Sequence, residues 1–128
     1  MKETTHDYFG KMMNEIIKSE EEDNESPYTE GETAAYTAYS ESEYLKSNEF
    51  EVAKLPKLNG IANFVKTLRK ADVDTIAITD SGPDVLSYIH RLVECGCKIE
   101  GLCTVHREIV DNPALDLTTD FKGIRIRL

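Results

Sequence analysis

Thr79, Asp80, Ser81 and Gly82 stand where a short apolar run gives way to a helical pattern. In α/β enzymes such a junction sets a strand's carboxyl end against a helix's amino end, and sites are built there. Asp80 has the chemistry to bind a cation or take a proton, and backbone N–H groups near Gly82 have the chemistry to hold a phosphate. The surrounding residues complete no phosphate loop: there is no GxGxxG, no Walker lysine and no Asp-x-Asp pair. Ser81 also serves as an N-cap and Asp84 as a weak capping-box residue. Asp80, Ser81 and Gly82 are therefore candidate ligand-binding residues with a competing structural role.

Cys95, Cys97, Cys103 and His106 raise the question of a metal. Cys-x-Cys lacks the usual gap of zinc ligands, and no second ligand pair follows. On a strand Cys97 and Cys103 share one face and His106 takes the other. The expectation is that the chain holds no metal and no cofactor, and that its cysteines are small buried residues without a disulfide. His90 and His106 adjoin no recognised nucleophile motif. Asp111, Asp116 and Asp120 lack the spacing and glycine of a calcium loop. No catalytic residue is assigned. A non-enzymatic interaction module is favoured and enzyme activity is left open, the alternative being a small-molecule or nucleotide-binding α/β domain that uses the strand-to-helix turn at Asp80 to Gly82.

The elements that must position these residues are more legible. Thr75 to Thr79 is short, apolar and β-branched, as a strand covered on both faces would be. Val85, Leu86, Ile89, Leu92 and Val93 then form a helical stripe, and Gly96 is placed for a left-handed C-cap. Cys97 to His106 runs extended, with Cys97, Ile99, Gly101, Cys103 and Val105 on one face. Two strands joined through a helix predict a parallel pair with a right-handed crossover. Leu86, Ile89 and Val93 are expected to be nearly fully buried against the first of them.

Upstream, residues 4–18 carry Phe9, Met12, Met13, Ile16 and Ile17 at helical spacing, with Tyr8 alongside, and this stripe must pack on the domain or on a second chain. SEEEDNESP follows as a solvated linker. Thr29 to Lys46 predicts a second helix with Ala34, Ala35, Ala38 and Leu45 on one side, its first turn weakened by Gly31. Glu49-Phe50-Glu51-Val52 alternates, as a half-exposed strand near a sheet edge does. Asn59 is placed to cap a helix whose stripe is Ile61, Phe64, Val65 and Leu68. DNPALDLTTD is irregular, and Gly123 to Leu128 alternates as a last strand.

The expected class is α/β: a small mixed, mainly parallel sheet of about four strands, crossover helices on one face, and the N-terminal helices packing against it. Simple strand order would leave the opposite sheet face to those N-terminal helices as a third layer, whereas a reversal of order would open a crevice. Residues 1–128 are expected to form one domain, 1–27 being helix and acidic linker and 28–128 the core.

The formal net charge is −9, and it is unevenly placed. Residues 1–51 hold 14 acidic and 4 basic side chains, while residues 52–128 hold 10 and 11. That distribution argues against a basic nucleic-acid face and favours a basic protein partner. Glu32, Tyr36, Tyr39, Glu41 and Glu43 are the candidate partner-binding residues, since tyrosine suits interfaces. No apolar run reaches membrane-spanning length and the N-terminus has no h-region, so no membrane contact is expected and the cytoplasm is the expected location. The oligomeric state is left open.

EFEVAKLP, the helix end FVKTLRKADV, the strand TIAITD and the run LVECGCKIEGLCTV lie between Glu49 and Val105. That stretch resembles a family of small uncharacterised bacterial proteins, many of them encoded on mobile elements. In that family Leu-Pro is often followed by an aromatic, where this chain has Lys57, and the segment after TIAITD also differs. The resemblance implies a cytosolic bacterial α/β domain with an accessory or anti-defence role, and carries no catalytic residue across.

Overall fold

The computed structural model describes residues 4–80, 82–108 and 118–128. In chain order the elements are α1 (Thr5–Glu21), α2 (Glu30–Tyr44), β1 (Glu51–Val52), a short 3-10 turn (Leu58–Gly60), α3 (Ile61–Lys70), β2 (Thr75–Ile78), α4 (Val85–Glu94), β3 (Lys98–Glu108) and β4 (Thr118–Arg127).

The four strands form one mixed sheet in the order β1-β2-β4-β3. β1 and β2 are parallel, while β4 is antiparallel to both β2 and β3. The sheet is therefore not mainly parallel. β2 and β3 do run in the same direction, as a helical crossover requires, but β4 has entered between them. A hairpin from β3 supplies β4 directly, and β4 carries isoleucines on one face that match those of β2: Ile76 lies opposite Ile126 and Ile78 opposite Ile124.

All four helices contribute to a single apolar core on one side of the sheet. Phe9 and Met12 of α1, Ala35 and Ala38 of α2, Phe64, Val65 and Leu68 of α3 and Leu92 of α4 cluster with Val52, Ile76, Ile78 and Ile126. α1 and α2 thus join the layer of α3 and α4, and among the described residues no helix forms the expected third layer on the other face. α1 packs on its own domain: the Phe9 ring stacks on Tyr39 at 4.7 Å between centroids. The aromatic contact is the kind that stabilises beyond its buried area.

Local sequence accounts for the helix ends. Thr29 and Glu32 close a capping box at the start of α2, each satisfying the other's backbone N–H. Gly31 is not merely tolerated in that first turn. A Cβ there would lie 2.3 Å from the Gly60 carbonyl oxygen and 2.9 Å from the Phe64 nitrogen, so only glycine lets α2 approach α3 this closely. Gly60, not Asn59, occupies the cap of α3, without a side-chain bond. α4 begins at Val85 with Asp84 at its cap, also without one; Ser81, the expected cap, lies outside the described residues.

Two expectations fail through rotation. α4 buries Leu92 and packs Tyr88 on the core, while Leu86 is 77% and Val93 48% exposed and Ile89 only half-buried. An apolar stripe this wide has two sides, and α3 meets the one that carries Tyr88 and Leu92. In β3 a bulge between Ile99 and Gly101 shifts the register. Gly101 adopts φ +145°, open to glycine alone, and the extra residue turns Gly101, Cys103 and Val105 to the face opposite Cys97 and Ile99.

Candidate functional site

Leu45 to Val52 ties the sheet's two edges together. Glu108 N–H donates to the Leu45 carbonyl (2.9 Å), and Asn48 N–H donates to the His106 carbonyl (3.2 Å), at the outer side of β3. A few residues on, Glu51 and Val52 pair with β2 at the far edge. One short segment touching both edges means that the sheet is strongly curled. Ser42 of α2 completes the closure: its hydroxyl donates to the Glu51 carbonyl and accepts from the Glu51 N–H, both at 2.9 Å. The hydroxyl occupies the bonding position a further strand would take.

Inside the curl the polar side chains of the β1 segment turn inward. The alternation Glu49-Phe50-Glu51-Val52 is real and β1 is an edge strand, but it is not half-exposed: Val52 and Phe50 face the helical core, and the charged side is enclosed as well. Glu51 is 3% exposed. Its carboxylate accepts from Arg107 Nε at 2.8 and 2.7 Å, from Thr79 Oγ1 at 2.8 Å and from Ser47 Oγ at 2.9 Å. The Arg107 guanidinium also stacks over Phe121, 3.8 Å from the ring centroid. Beside this pair Arg125 Nε donates to Glu49 at 2.7 Å. The face thus holds two parallel ion pairs, with Ala77 and Val105 fully buried beneath them.

Burial pushes the Glu51 carboxyl up, but the hydrogen bonds from Arg107, Thr79 and Ser47 and the Arg107 charge outweigh it and hold the pKa below the ordinary carboxylate value. Such a group is ionised and saturated with donors. It has no proton to give and no lone pair directed at a ligand, so its chemistry is that of a brace. Among the described residues no buried side-chain polar atom lacks a hydrogen-bond partner. An open groove of about 600 Å³ lies over the end of the network, lined by Ser40, Glu41, Tyr44, Leu45, Ala53 and Arg107.

The residues picked out in the sequence are dispersed. Asp80 folds its carboxylate back onto the Gly82 N–H at 2.9 Å, a local turn bond. Neighbouring Thr79 is committed to Glu51. Cys97 sits in the helical core, Cys103 on the opposite sheet face beside Glu49, and His106 at the surface, 2.6 Å from Asp120. Burial, chiefly, raises the thiol pKa of both Cys97 and Cys103. Of the partner-binding candidates, Tyr36 and Tyr39 face Phe9 of α1, and Tyr39 hydroxyl bonds the His6 ring. Glu32 is engaged in its capping box, and Glu41 and Glu43 are exposed. The Tyr28 hydroxyl donates to Glu15, adding a second tie between α1 and the body.

Glu51, Arg107 and Ser42 were not singled out in the sequence. The only trace of Ser42 is its place on the buried row Gly31, Ala35, Ala38, Ser42, and nothing local pairs Glu51 with an arginine 56 positions away.

The sequence profile of a family described as a domain of unknown function, DUF7698, matches residues 34–127. The chain belongs to that family. The DUF7698 span takes in the whole sheet with the Glu51–Arg107 and Glu49–Arg125 pairs, and it starts within α2, so α1 and the acidic linker precede it. Comparison with curated proteins gives no match, and comparison with solved structures gives none.

Proposed function

We propose that this DUF7698 protein is a non-enzymatic interaction module whose acidic helical layer engages a basic protein. One observation carries the reading: Glu20, Glu21, Glu22, Asp23 and Glu25 at the end of α1 and in the linker, and Glu41 and Glu43 on α2, all face solvent. The buried Glu51, by contrast, is committed to Arg107. Tyr44, 59% exposed at the rim of the groove beside Glu41, is the aromatic that an incoming surface meets. Acidic side chains around an exposed ring steer a cationic partner and then give it something to cover. The sequence resemblance supports a cytoplasmic bacterial accessory protein, with an anti-defence role as the extension of this proposal.

The test is the association rate with a basic partner captured from the host. Glu41→Gln with Glu43→Gln should slow association, with the loss growing as salt is lowered. Glu32→Gln is a separate arm, because Gln can keep the capping box while losing the charge. Equal rates for the double variant and the parent at low salt would reduce the acidic layer to a solubility device.

A further inference from the structure

The stripe Leu86, Ile89 and Val93 on α4 has the pattern of a buried helix face, yet it looks outward. Beside it β3 exposes two more large apolar side chains. Ile99 lies in the sheet row of Ile76 and Ile126, and Leu102 in the row of Ile78 and Ile124. Both therefore stand on the sheet face that carries the helices, where their row-mates are covered and they are not: Ile99 is 54% and Leu102 88% exposed. α4 connects β2 to β3 and packs on β3, so the helix stripe and the two strand residues stand on adjoining elements of the helical side. Exposed large apolar side chains grouped in this way mark an interaction site.

We infer that the occupant of this face is a second copy of the chain. Charge decides against approach through α1 and α2. Each copy carries −9, concentrated in residues 1–51, so two acidic layers repel. Residues 84–108 hold four acidic and three basic side chains, a balance of −1 that neither repels a like copy nor steers a charged stranger. The stripe also has nearly the same spacing in both directions, Ile89 standing three residues after Leu86 and four before Val93. An antiparallel pair of α4 helices about a two-fold axis near Ile89 sets Leu86 against Val93 of the second copy twice over, the self-complementary geometry of an isologous contact. β3 is an edge strand of the sheet, and the 45–48 segment occupies only its far end. Ile99 and Leu102 lie on the remainder, where the second copy's helix covers them.

Sedimentation equilibrium of the full chain, from ~1 to ~100 µM, tests this over the range in which weak dimers dissociate. The expected species is a dimer at the upper end. Leu86→Asp with Leu102→Asp should raise the dissociation constant by at least about tenfold and leave the far-ultraviolet circular dichroism spectrum unchanged. Should that pair not fold, Leu102→Thr, which keeps a strand-favouring residue, should still weaken the dimer measurably. Glu41→Gln with Glu43→Gln should leave self-association unchanged, which keeps this inference separate from the acidic-layer proposal. A chain that stays monomeric throughout overturns the inference, as does a folded Leu102 variant with an unaltered dissociation constant.

Discussion

Arg107 Nε donates to both carboxylate oxygens of Glu51, at 2.8 and 2.7 Å, across 56 positions of sequence. The pair joins the segment that bridges the sheet's edges to the edge strand it closes upon. Its value lies in being complete, since a buried charge that loses its partner is far more costly than the pair is stabilising.

Arg107→Ala should therefore lower unfolding free energy by ~3–5 kcal/mol, the range seen when one member of a buried pair is removed. The double variant Glu51→Gln with Arg107→Met should cost less than Arg107→Ala alone, because no unpaired charge is left behind. Urea unfolding of the three chains gives both numbers, and an Arg107→Ala cost near zero would mean the network is solvated.

Stability should fall at both ends of the pH scale for separate reasons. The folded pKa of Glu51 is depressed, so its contribution is full above the ordinary glutamate value of ~4.3 and is lost as pH falls through the folded pKa. Tyr28 and Tyr39 are raised, by burial first and then by the bond to Glu15 and the charge of Glu43 respectively. Their contribution is full below the ordinary tyrosine value of ~10 and is lost as pH rises above it. Melting temperatures across pH should show Glu51→Gln flattening the acid limb and Tyr28→Phe the alkaline one.

Gly31→Ala should destabilise despite alanine's better helix propensity. Propensity favours the change by about 1 kcal/mol. The new methyl would meet the Gly60 carbonyl oxygen at 2.3 Å, so α2 and α3 must separate. Overpacking of this kind costs ~1–3 kcal/mol or more, and here the obstacle is backbone that cannot rotate away. Chemical denaturation decides the sign.

On α4 the two faces of the stripe should respond oppositely. Leu92→Ala should cost ~2–5 kcal/mol, as fully buried leucines do. Leu86→Ala should change monomer stability by less than ~0.5 kcal/mol. The comparison belongs at chain concentrations below self-association, and a large Leu86 effect there would mean that α4 is rotated from the orientation described.

The local alphabet of the fold was legible because it rests on short-range physics. The α3 stripe of Ile61, Phe64, Val65 and Leu68 and the strand at Thr75 follow from periodicity and side-chain shape. Adjacency in the sheet was not, since Gly123 to Arg127 alternates equally well as an edge or a central strand. The phase of α4 was hidden because Leu86 and Leu92 are equally apolar, and only the position of α3 chooses between them. Glu51 misled for a related reason: alternation shows that polar and apolar sides exist, not that the polar one is exposed. Its arginine lies two strands away, and no spacing rule links the two.

β4 is the last strand in chain order and one of the two in the middle of the sheet. While the chain is being synthesised, β2 has a bare flank, and β3 has only the 45–48 segment at its far end, until residues 118–127 have emerged. Each of the four described helices leaves the ribosome before the strand that completes the surface it covers. Assembly is thereby deferred to a single late event, with distant pairings closing together, the kind of topology that folds slowly and exposes apolar strands while it waits. A chain halted before Thr118 would hold four helices and two sheet margins with nothing between them.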